Sequence, residues 1–318
     1  MESRQIAAAA LKIKTEIGKV LVDKDQVIEY MIAAYFAGGH ILLEDLPGTG
    51  KTMLARALAA SVSGSFKRIQ FTPDLLPTDV TGLNYYNQEK NAFIFREGPV
   101  FANVILADEI NRATPRTQSS LLESMEEEQV SVDGVTRKLP FPFFVIATQN
   151  PVESLGTFPL PEAQMDRFMM KRRVGFPDFN GELEMIDRFM LENPAEHMRP
   201  VSTTEEIRAI RDAVKKVYVH ADVRNYLLKI IRATREDNRF IAGASPRCTL
   251  SFIRAAQALA AIRGRDYVIP EDVRELAPYI IGHRVIRADE YEARSSLDDI
   301  RILVSNIQPP VEIFDGKK

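Results

Sequence analysis

Short, almost continuously apolar runs alternate with helical patterns through the first half of the chain. The runs read HILLE, KRIQF, NVILA and FFVIA, and such runs are typical of strands that are buried on both faces of a sheet. Between the first two runs, the segment MLARALAASV places Leu54, Leu58 and Val62 on one helical face. The alternation predicts an α/β fold in which a parallel sheet lies between helices.

Other patterns surround and interrupt this alternation. Two helices are predicted before the first strand, one ending near Lys19 and one ending at the stop signal Gly38-Gly39. Two hairpins are predicted at about residues 84–96 and 129–138. The second has Asp133-Gly134 as its turn, because both central positions of such a turn favour positive φ. Inserted hairpins of this kind usually serve contacts rather than the core.

The character of the sequence changes after about Pro177, where apolar strand runs stop and helical patterns continue. These patterns are EEIRAIRDAVKKVYV, ADVRNYLLKIIRATRE, SPRCTLSFIRAAQALAAIRG, PEDVRELAPYIIGHR and a last one near LDDIRILVSNI. We therefore predict two domains, an α/β domain at 1–178 and an all-helical domain at 179–318.

Composition narrows the class of protein. The length of 318 residues, of which 45% are hydrophobic, allows two domains with separate cores. A net charge of −3 gives no basic field that would attract nucleic acid. The single cysteine, Cys248, excludes an internal disulfide and fits a reducing compartment. The apolar runs are too short to span a bilayer, and the N-terminus does not have the pattern of a signal peptide. We expect a cytoplasmic protein with no membrane segment.

The segment DLPGTGKT resembles a phosphate-binding loop, although Asp45 stands where the usual pattern begins with glycine. A strand leads into it and a helix follows, so backbone N–H groups and a helix N-terminus can bind phosphate. Lys51 is predicted to reach the β- and γ-phosphates, and the Thr52 hydroxyl to bind Mg²⁺. The predicted nucleotide contacts are Pro47, Gly48, Thr49, Gly50, Lys51, Thr52 and Met53. The alternative is a glycine-rich turn that caps an ordinary helix.

Polar side chains also follow the third and fourth apolar runs. Asp108 and Glu109 end NVILADE, and Asn150 follows FFVIATQ. Asp108 is a candidate Mg²⁺ ligand, Glu109 a candidate base for an attacking water, and Asn150 a candidate amide that orients this water. Each alone could be a strand-end turn residue. Together they match the rule that open α/β sheets bind ligands at strand carboxyl ends, and the predicted ligand is ATP or ADP with Mg²⁺.

These motifs resemble those of AAA+ ATPases: PGTGKT is similar to Walker A, VILADE to Walker B and ATQN to sensor 1. The longer motifs resemble the MoxR family, namely FTPDLLPTDVTG, LADEINRATPRTQSSLLESMEE, ATQNPVE, GTFPLPEAQMDRF and GASPR. The resemblance implies an AAA+ P-loop core, with a five-stranded parallel sheet between helices and inserted β-hairpins, followed by an all-helical lid domain.

The resemblance also implies roles for residues outside the three strand ends. Arg167 in QMDRF matches an arginine finger, which in such proteins reaches the ATP of a neighbouring subunit. Arg247 in GASPR matches sensor 2 on the lid. Val22 lies where the family's N-terminal segment lines the adenine pocket, although Asp23-Lys24 departs from the Gly-Gln often seen there. The alternative for Arg167 is a salt bridge within its own chain, to Asp166 or Glu162.

The function that the resemblance implies is a Mg²⁺-dependent ATPase that forms a ring, expected to be a hexamer. It would remodel or mature client proteins, with a von Willebrand A domain protein as a possible class of partner. One alternative is a nucleic-acid motor, which the acidic pI and the non-basic hairpin tips argue against. Another is an ATP-binding switch with little hydrolysis, which the presence of both Glu109 and Asn150 argues against. A small-molecule kinase would not need Arg167, Arg247 or an all-helical second domain.

Overall fold

A computed structural model gives the fold and describes residues 1–151, 156–190, 193–288 and 295–310. Val152 and Glu153, the last residues of the ATQNPVE motif, lie outside the described residues, as does the end of the predicted second domain after residue 310. No helix within the described ranges is long and apolar enough to cross a membrane.

The first part of the chain is an α/β unit, as predicted. Its helices are α1 (Ser3–Gly18), α2 (Asp25–Ala37), α3 (Lys51–Ser61), α4 (Pro77–Thr81), α5 (Pro115–Glu127) and α6 (Glu162–Met165). Its strands are β1 (Ile41–Glu44), β2 (Phe66–Gln70), β3 (Gly82–Asn87), β4 (Ala92–Glu97), β5 (Val104–Asp108), β6 (Gln129–Val132), β7 (Val135–Lys138), β8 (Phe144–Gln149) and β9 (Met170–Arg172).

Five of these strands form the central sheet in the order β2-β5-β8-β1-β9, and every pair in it is parallel. Strands β5 and β8 are almost wholly buried, as their apolar runs predict. The prediction of two-sided burial is wrong for KRIQF, because β2 is an edge strand and exposes Lys67, Arg68 and Gln70. Those exposed polar side chains blunt an unpaired sheet edge.

Both predicted hairpins are present, as β3–β4 and β6–β7. In the second, Asp133 and Gly134 have φ of +50° and +77°, as the turn type requires. The two hairpins touch each other, since the Asn84 amide donates to Asp133 Oδ2 and the Arg137 guanidinium lies 3.8 Å from the centroid of the Phe95 ring. They therefore form one projecting unit beside the sheet.

The second part of the chain, which we call the lid, is built from helices. They are α7 (Phe179–Phe189), α8 (Thr204–Val214), α9 (Ala221–Glu236), α10 (Pro246–Ile262), α11 (Pro270–Ile281) and α12 (Ser296–Ser305). Two features differ from the sequence prediction. Helix α7 was not predicted, and a short antiparallel pair, β10 (Phe240–Ala242) with β11 (Ile286–Arg287), interrupts the helices.

The two parts do not have separate cores, contrary to the expectation from length. One continuous apolar cluster joins α1, α2, α3 and one face of the sheet to lid helices α8 to α11. A second cluster covers the other sheet face, beneath α5 and the hairpins. Helix α2 is central to this joint core, because nine of its 13 residues are buried and it packs directly against α10.

Arg284 of the lid, which follows α11, also fixes the lid to the sheet through polar contacts. Its guanidinium donates to the Asp166 carboxylate at 2.6 Å and to the carbonyl oxygens of Phe168 and Met169 at 2.7 and 3.1 Å. The Arg284 side chain is only 1% exposed. These contacts hold the segment that leads into β9.

We expect Arg284→Met to lower the free energy of unfolding by about 3 kcal/mol or more, because the loss leaves Asp166 and several buried carbonyl groups without their donor. Urea denaturation would measure the change. Arg232→Met on the exposed side of α9 is the matched control, and its effect should be within about 0.5 kcal/mol. An equal, small effect of both substitutions would contradict this role for Arg284.

Buried histidines give the fold a pH dependence. Burial lowers the pKa of His40 to about 4, against a weaker opposing effect of the Met125 carbonyl. The Val145 N–H donates to His40 Nδ1, so His40 Nε2 carries the proton and donates to Met125 O. Burial also lowers the pKa of His283 well below its ordinary value.

A folded-state pKa below the unfolded value means that the unfolded chain binds more protons in the intervening pH range. Stability should therefore be complete above about pH 6.5 and fall as the pH drops towards about 4, by up to about 1.4 kcal/mol per pH unit for each histidine. Urea denaturation at several pH values would measure this slope. His40→Asn should reduce the slope and His220→Asn, at an exposed position, should not. An unchanged slope in the His40 variant would refute the assignment.

Candidate active site

The carboxyl ends of β1, β5 and β8 open onto one cleft of about 450 Å³. Edge strand β2 and the first turns of α3 complete its walls. The lining residues are Asp45, Pro47, Gly48, Gly50, Lys51, Thr52, Met53, Arg56, Arg68, Asp108, Glu109, Thr148, Gln149 and Asn150. The predicted residues of the three strand ends thus meet in a single place.

The loop between β1 and α3 has the geometry of a phosphate-binding turn. Gly48 and Gly50 have φ of +85° and +87°, which side-chain-bearing residues rarely adopt. A Cβ at Gly50 would also lie 3.0 Å from Leu21 Cδ2. Thr49 is buried and is not among the lining residues, and its hydroxyl donates to Leu46 O at 3.3 Å. Helix α3 begins at Lys51, so its free N–H groups face the cleft.

Lys51 is held by the loop itself. Its Nζ donates to Asp45 O at 2.9 Å and to Leu46 O at 2.6 Å. Burial lowers the pKa of Lys51, against the opposing charges of Asp45, Asp108 and Glu109. The ammonium therefore sits above the cleft with carbonyl groups as partners, which a phosphate could replace.

Asp108 ends β5 and is mostly buried. The Thr148 hydroxyl on β8 donates to its Oδ1 at 2.7 Å, and Arg68 of β2 donates to its Oδ2 through Nε at 3.0 Å and Nη2 at 2.6 Å. Sequence pattern alone does not single out Thr148 or Arg68. Their role could be inferred only from their position on β8 and β2, the strands that lie beside β5.

Glu109 has the uncommon left-handed conformation, with φ of +56° and ψ of 49°. Its N–H donates to Thr148 Oγ1 at 2.8 Å, so one hydroxyl orients both Asp108 and Glu109. Gln70 of β2 donates to Glu109 Oε2 at 2.8 Å, and Arg112 Nε lies 3.3 Å from the same oxygen. Both carboxylates are therefore engaged by cationic or amide groups.

The donor set suits Mg²⁺ with a nucleotide. Hydroxyl and carboxylate oxygens, here Thr52 and Asp108, are the ligands that Mg²⁺ takes from a protein while phosphates and water supply the rest. Asn150, mostly buried at the end of β8, places an amide on the same wall. We therefore find that the residues present fit both the ion and the phosphates.

Asp45 does not disturb the phosphate turn. Its backbone does not have positive φ, so the position does not require glycine. Its Oδ2 accepts from the N–H groups of Val174 and Gly175 at 2.6 and 2.7 Å, which directs the carboxylate towards the chain beyond β9.

Val22 is buried and lies outside the phosphate cleft. It lines a neighbouring open cleft with residues such as Gly18, Leu21 and Asp23. Leu21 touches the phosphate loop at Gly50, so this N-terminal segment borders the phosphate cleft. The structure does not place Val22 among the phosphate contacts.

The two predicted arginines lie in a different cleft, of about 290 Å³, which Arg167, Arg247, Glu126, Gly39 and His40 help to line. Glu126 is the shared partner: its Oε2 lies 3.2 Å from Arg167 Nε, and its Oε1 accepts from Arg247. Arg167 is thus engaged in a salt bridge within its own chain, which was the alternative to the arginine finger, but its partner is Glu126 rather than Asp166 or Glu162. Asp166 pairs instead with Arg284. Neither arginine lines the cleft that contains Lys51.

Comparisons with known proteins identify the family and the fold. The family model described as the ATPase family associated with various cellular activities (AAA) matches residues 40–170, and the AAA lid domain model matches residues 232–302. These ranges cover nearly all of the sheet, with its cleft, and the part of the lid from the end of α9 into α12.

Relatives cover nearly the whole chain. The uncharacterized protein YeaC of Bacillus subtilis is 46% identical over 95% of each chain, and Chaperone MoxR1 of Mycobacterium tuberculosis is 40% identical over 94% of this chain and 80% of that one. A crystal structure of a proposed ATPase from Cytophaga hutchinsonii is 39% identical, with a TM-score of 0.90 over 97% of both chains.

Thr148 offers a direct test of the cleft. We expect Thr148→Val to reduce ATP turnover by about tenfold or more, because it removes the hydrogen bond to each Walker B residue and leaves the partly buried Glu109 N–H without its partner. Steady-state kinetics with a thermal melt would separate turnover from stability. Thr136→Val on the exposed hairpin is the matched control. Normal turnover in the Thr148 variant would refute this positioning role.

Proposed function

The chain belongs to the MoxR family of AAA+ ATPases, and we propose that it binds ATP with Mg²⁺ in the phosphate cleft and hydrolyses it at interfaces between its own copies. The observation that carries the proposal is the separation of two sets of residues within one chain. The residues that would bind phosphate and metal lie at the carboxyl ends of the parallel strands, and the two arginines lie near their amino ends.

The direction of the parallel strands explains this separation. The phosphate loop follows the carboxyl end of β1, whereas His40, which precedes β1, helps to line the arginine cleft. Met169, which precedes β9, donates its N–H to His40 O at 2.8 Å, so both strands begin at the arginine edge. Strand β1 has 4 residues, and its length of about 13 Å exceeds the reach of an arginine side chain.

Arg167 therefore cannot serve the phosphates of its own chain in this arrangement, and the same holds for Arg247 beside it. Both side chains are partly exposed, at 28% and 45%, and a carboxylate already holds them. In a ring, a neighbour's γ-phosphate would replace Glu126 as the anion between them. We propose that the ring is hexameric, as the resemblance implies.

Each group of the phosphate cleft would then have a separate role. Lys51 leaves the carbonyl groups of Asp45 and Leu46 and donates to phosphate oxygens. Thr52 and Asp108 would hold Mg²⁺, which would supply positive charge to neutralise the phosphates. Glu109 takes a proton from the attacking water, and Asn150 orients that water.

The hairpin pair supports a protein client rather than nucleic acid. Phe93 is 75% exposed, and Tyr85 and Tyr86 are also exposed on the same β3–β4 hairpin. Its tip, Asn87 to Asn91, contains both Glu89 and Lys90 and is not basic. We propose that this hairpin meets the client or a von Willebrand A domain partner, in the cytoplasm.

A mixing experiment tests the shared site. Arg167→Ala keeps its phosphate cleft but lacks one arginine, and Glu109→Gln keeps its arginines but lacks the base. Because each variant lacks one half of the shared site, each alone should lose at least about 90% of turnover. Mixing the two should restore part of it, because one of the two kinds of mixed interface joins the intact phosphate cleft of the Arg167→Ala chain to the intact arginines of the Glu109→Gln chain. Arg247→Ala should behave like Arg167→Ala, and Arg232→Ala on exposed α9 is the control.

The outcome distinguishes the possible sites. Recovery on mixing would support sites between copies, together with a turnover per subunit that rises with protein concentration. Full activity of Arg167→Ala alone would refute the arginine assignment. Inactive variants that do not recover on mixing, although they assemble normally, would refute a site shared between neighbours.

A further inference from the structure

Residues 174–178 connect β9 to α7 and so join the sheet to the lid; we call them the junction. Three charged side chains hold its backbone. Asp45 Oδ2 accepts from the N–H groups of Val174 and Gly175 at 2.6 and 2.7 Å.

The other two come from the connection between α1 and α2. Lys24 Nζ donates to Phe176 O at 2.9 Å, and Asp23 Oδ2 accepts from the Asp178 N–H at 3.1 Å. Four of the five junction residues thus give a backbone group to a charged side chain.

Burial makes these contacts costly to lose. Asp45 and Lys24 are each only 7% exposed, and a buried charge is destabilising unless it is hydrogen-bonded. Asp45 Oδ1 accepts from Leu46 N–H at 3.1 Å, so its two oxygens share three backbone donors. Hydrogen bonds to a charged group are stronger than those between neutral groups, which makes the attachment of the junction specific.

The local backbone is also built for close approach. Asp23 has φ of +57°, a conformation that aspartate tolerates better than most residues. Gly181 in the first turn of α7 leaves no room for a side chain, since a Cβ there would lie 3.0 Å from Asp23 Cβ and from Pro177 Cβ. Gly175 has φ of +69°. These features fix the path of the junction against the segment around Asp23.

Both segments that supply these side chains, the start of the phosphate loop and the connection between α1 and α2, border the nucleotide site. Asp45 precedes the phosphate turn, and its carbonyl group accepts from Lys51 Nζ at 2.9 Å. Asp23 and Lys24 directly follow Val22, and the same segment touches the loop through Leu21. A nucleotide that draws Lys51 onto its phosphates removes a hydrogen bond from Asp45, whose side chain holds the start of the lid.

We propose that Asp23, Lys24 and Asp45 are positioning residues that form a clamp, through which nucleotide binding sets the position of the lid. The inference rests on the proposed function, since it assumes that ATP occupies the phosphate cleft. Its consequence reaches the neighbour: Arg247 lies on the lid and Arg167 on the sheet unit, so a movement at the junction changes how the two arginines are presented together. Coupling between two sites requires an element whose position affects both of them. Here the junction is that element, and the two sites are the phosphate cleft and the arginine pair.

The test follows the distance between sheet and lid. Cysteines at Lys67 and Lys229, both exposed, carry spin labels, and the native Cys248 is buried. Labelled protein is diluted into an excess of unlabelled protein, so that pairs within one chain dominate. Double electron–electron resonance then gives the distance distribution with and without Mg²⁺ and a non-hydrolysable ATP analogue. Affinity for a fluorescent ATP analogue is measured on the same variants.

Two variants loosen the clamp. Asp45→Gly restores the glycine of the general phosphate-loop pattern but removes the carboxylate, and Lys24→Met keeps the stem but loses the bond to Phe176. We expect the affinity for the analogue to change by less than about threefold, whereas turnover falls by about tenfold. The nucleotide-dependent distance change should shrink or disappear. Asp187→Asn on α7 and Lys12→Met on α1, both exposed, are the controls.

Each outcome has one meaning. A wild-type distance that does not respond to the bound analogue would overturn the clamp and leave the ATPase proposal standing. Variants that keep the full wild-type response would also overturn it, and so would variants that no longer bind the analogue, which would assign these residues to binding itself. Failure of the wild type to bind ATP would instead refute the proposed function.

Discussion

The parallel register of three buried strands is the constraint on which the rest of the molecule depends. Ile41 pairs with Ile146, and Val104 pairs with Phe144, so β1, β8 and β5 advance together from one edge of the sheet to the other. A strand buried on both faces cannot slip by a residue without moving polar side chains into the core. The register therefore determines which polar groups meet at the carboxyl ends of the strands. The residues that precede the strands lie together at the opposite, amino ends.

Charge balance within the phosphate cleft follows from that convergence. Lys51, Asp108 and Glu109 meet at a partly buried edge, where an unpaired charge would be unfavourable. Each has a partner from within the chain: loop carbonyl groups for Lys51, Arg68 for Asp108 and Gln70 for Glu109. Edge strand β2 supplies the two side-chain partners because it has a solvent-facing side. Binding of ATP and Mg²⁺ is then an exchange of partners rather than the filling of an uncompensated site.

The sequence predicts those parts of the fold that local pattern determines. The strands of the sheet, the glycine-rich turn after β1, the Asp133-Gly134 hairpin and the family follow from short segments. The structure and comparisons confirm them, apart from the burial of β2. Arg68, Gln70 and Thr148 could not be found in this way, because their role comes from lateral strand neighbours that are distant in sequence. The shared core of the sheet unit and the lid could not be predicted either, because periodicity shows that a helix has an apolar face but not which element covers that face. Helix α7 has Phe179, Leu183 and Ile186 at helical spacing, yet these side chains are exposed, so its pattern does not report burial within the chain.

The departures from the expected motifs have a common physical explanation. Asp45 and the pair Asp23-Lys24 lie in different segments, and sequence alone gives no link between them. In the fold, all three side chains form hydrogen bonds with the backbone of residues 174–178. The phosphate turn keeps its geometry because Gly48 and Gly50 provide the positive φ that it needs. The position before the turn is thereby free to carry a carboxylate, and a carboxylate is the side chain that can accept from several backbone N–H groups at once. In this chain, the residues that depart from the nucleotide-binding pattern are those that connect the nucleotide site to the lid.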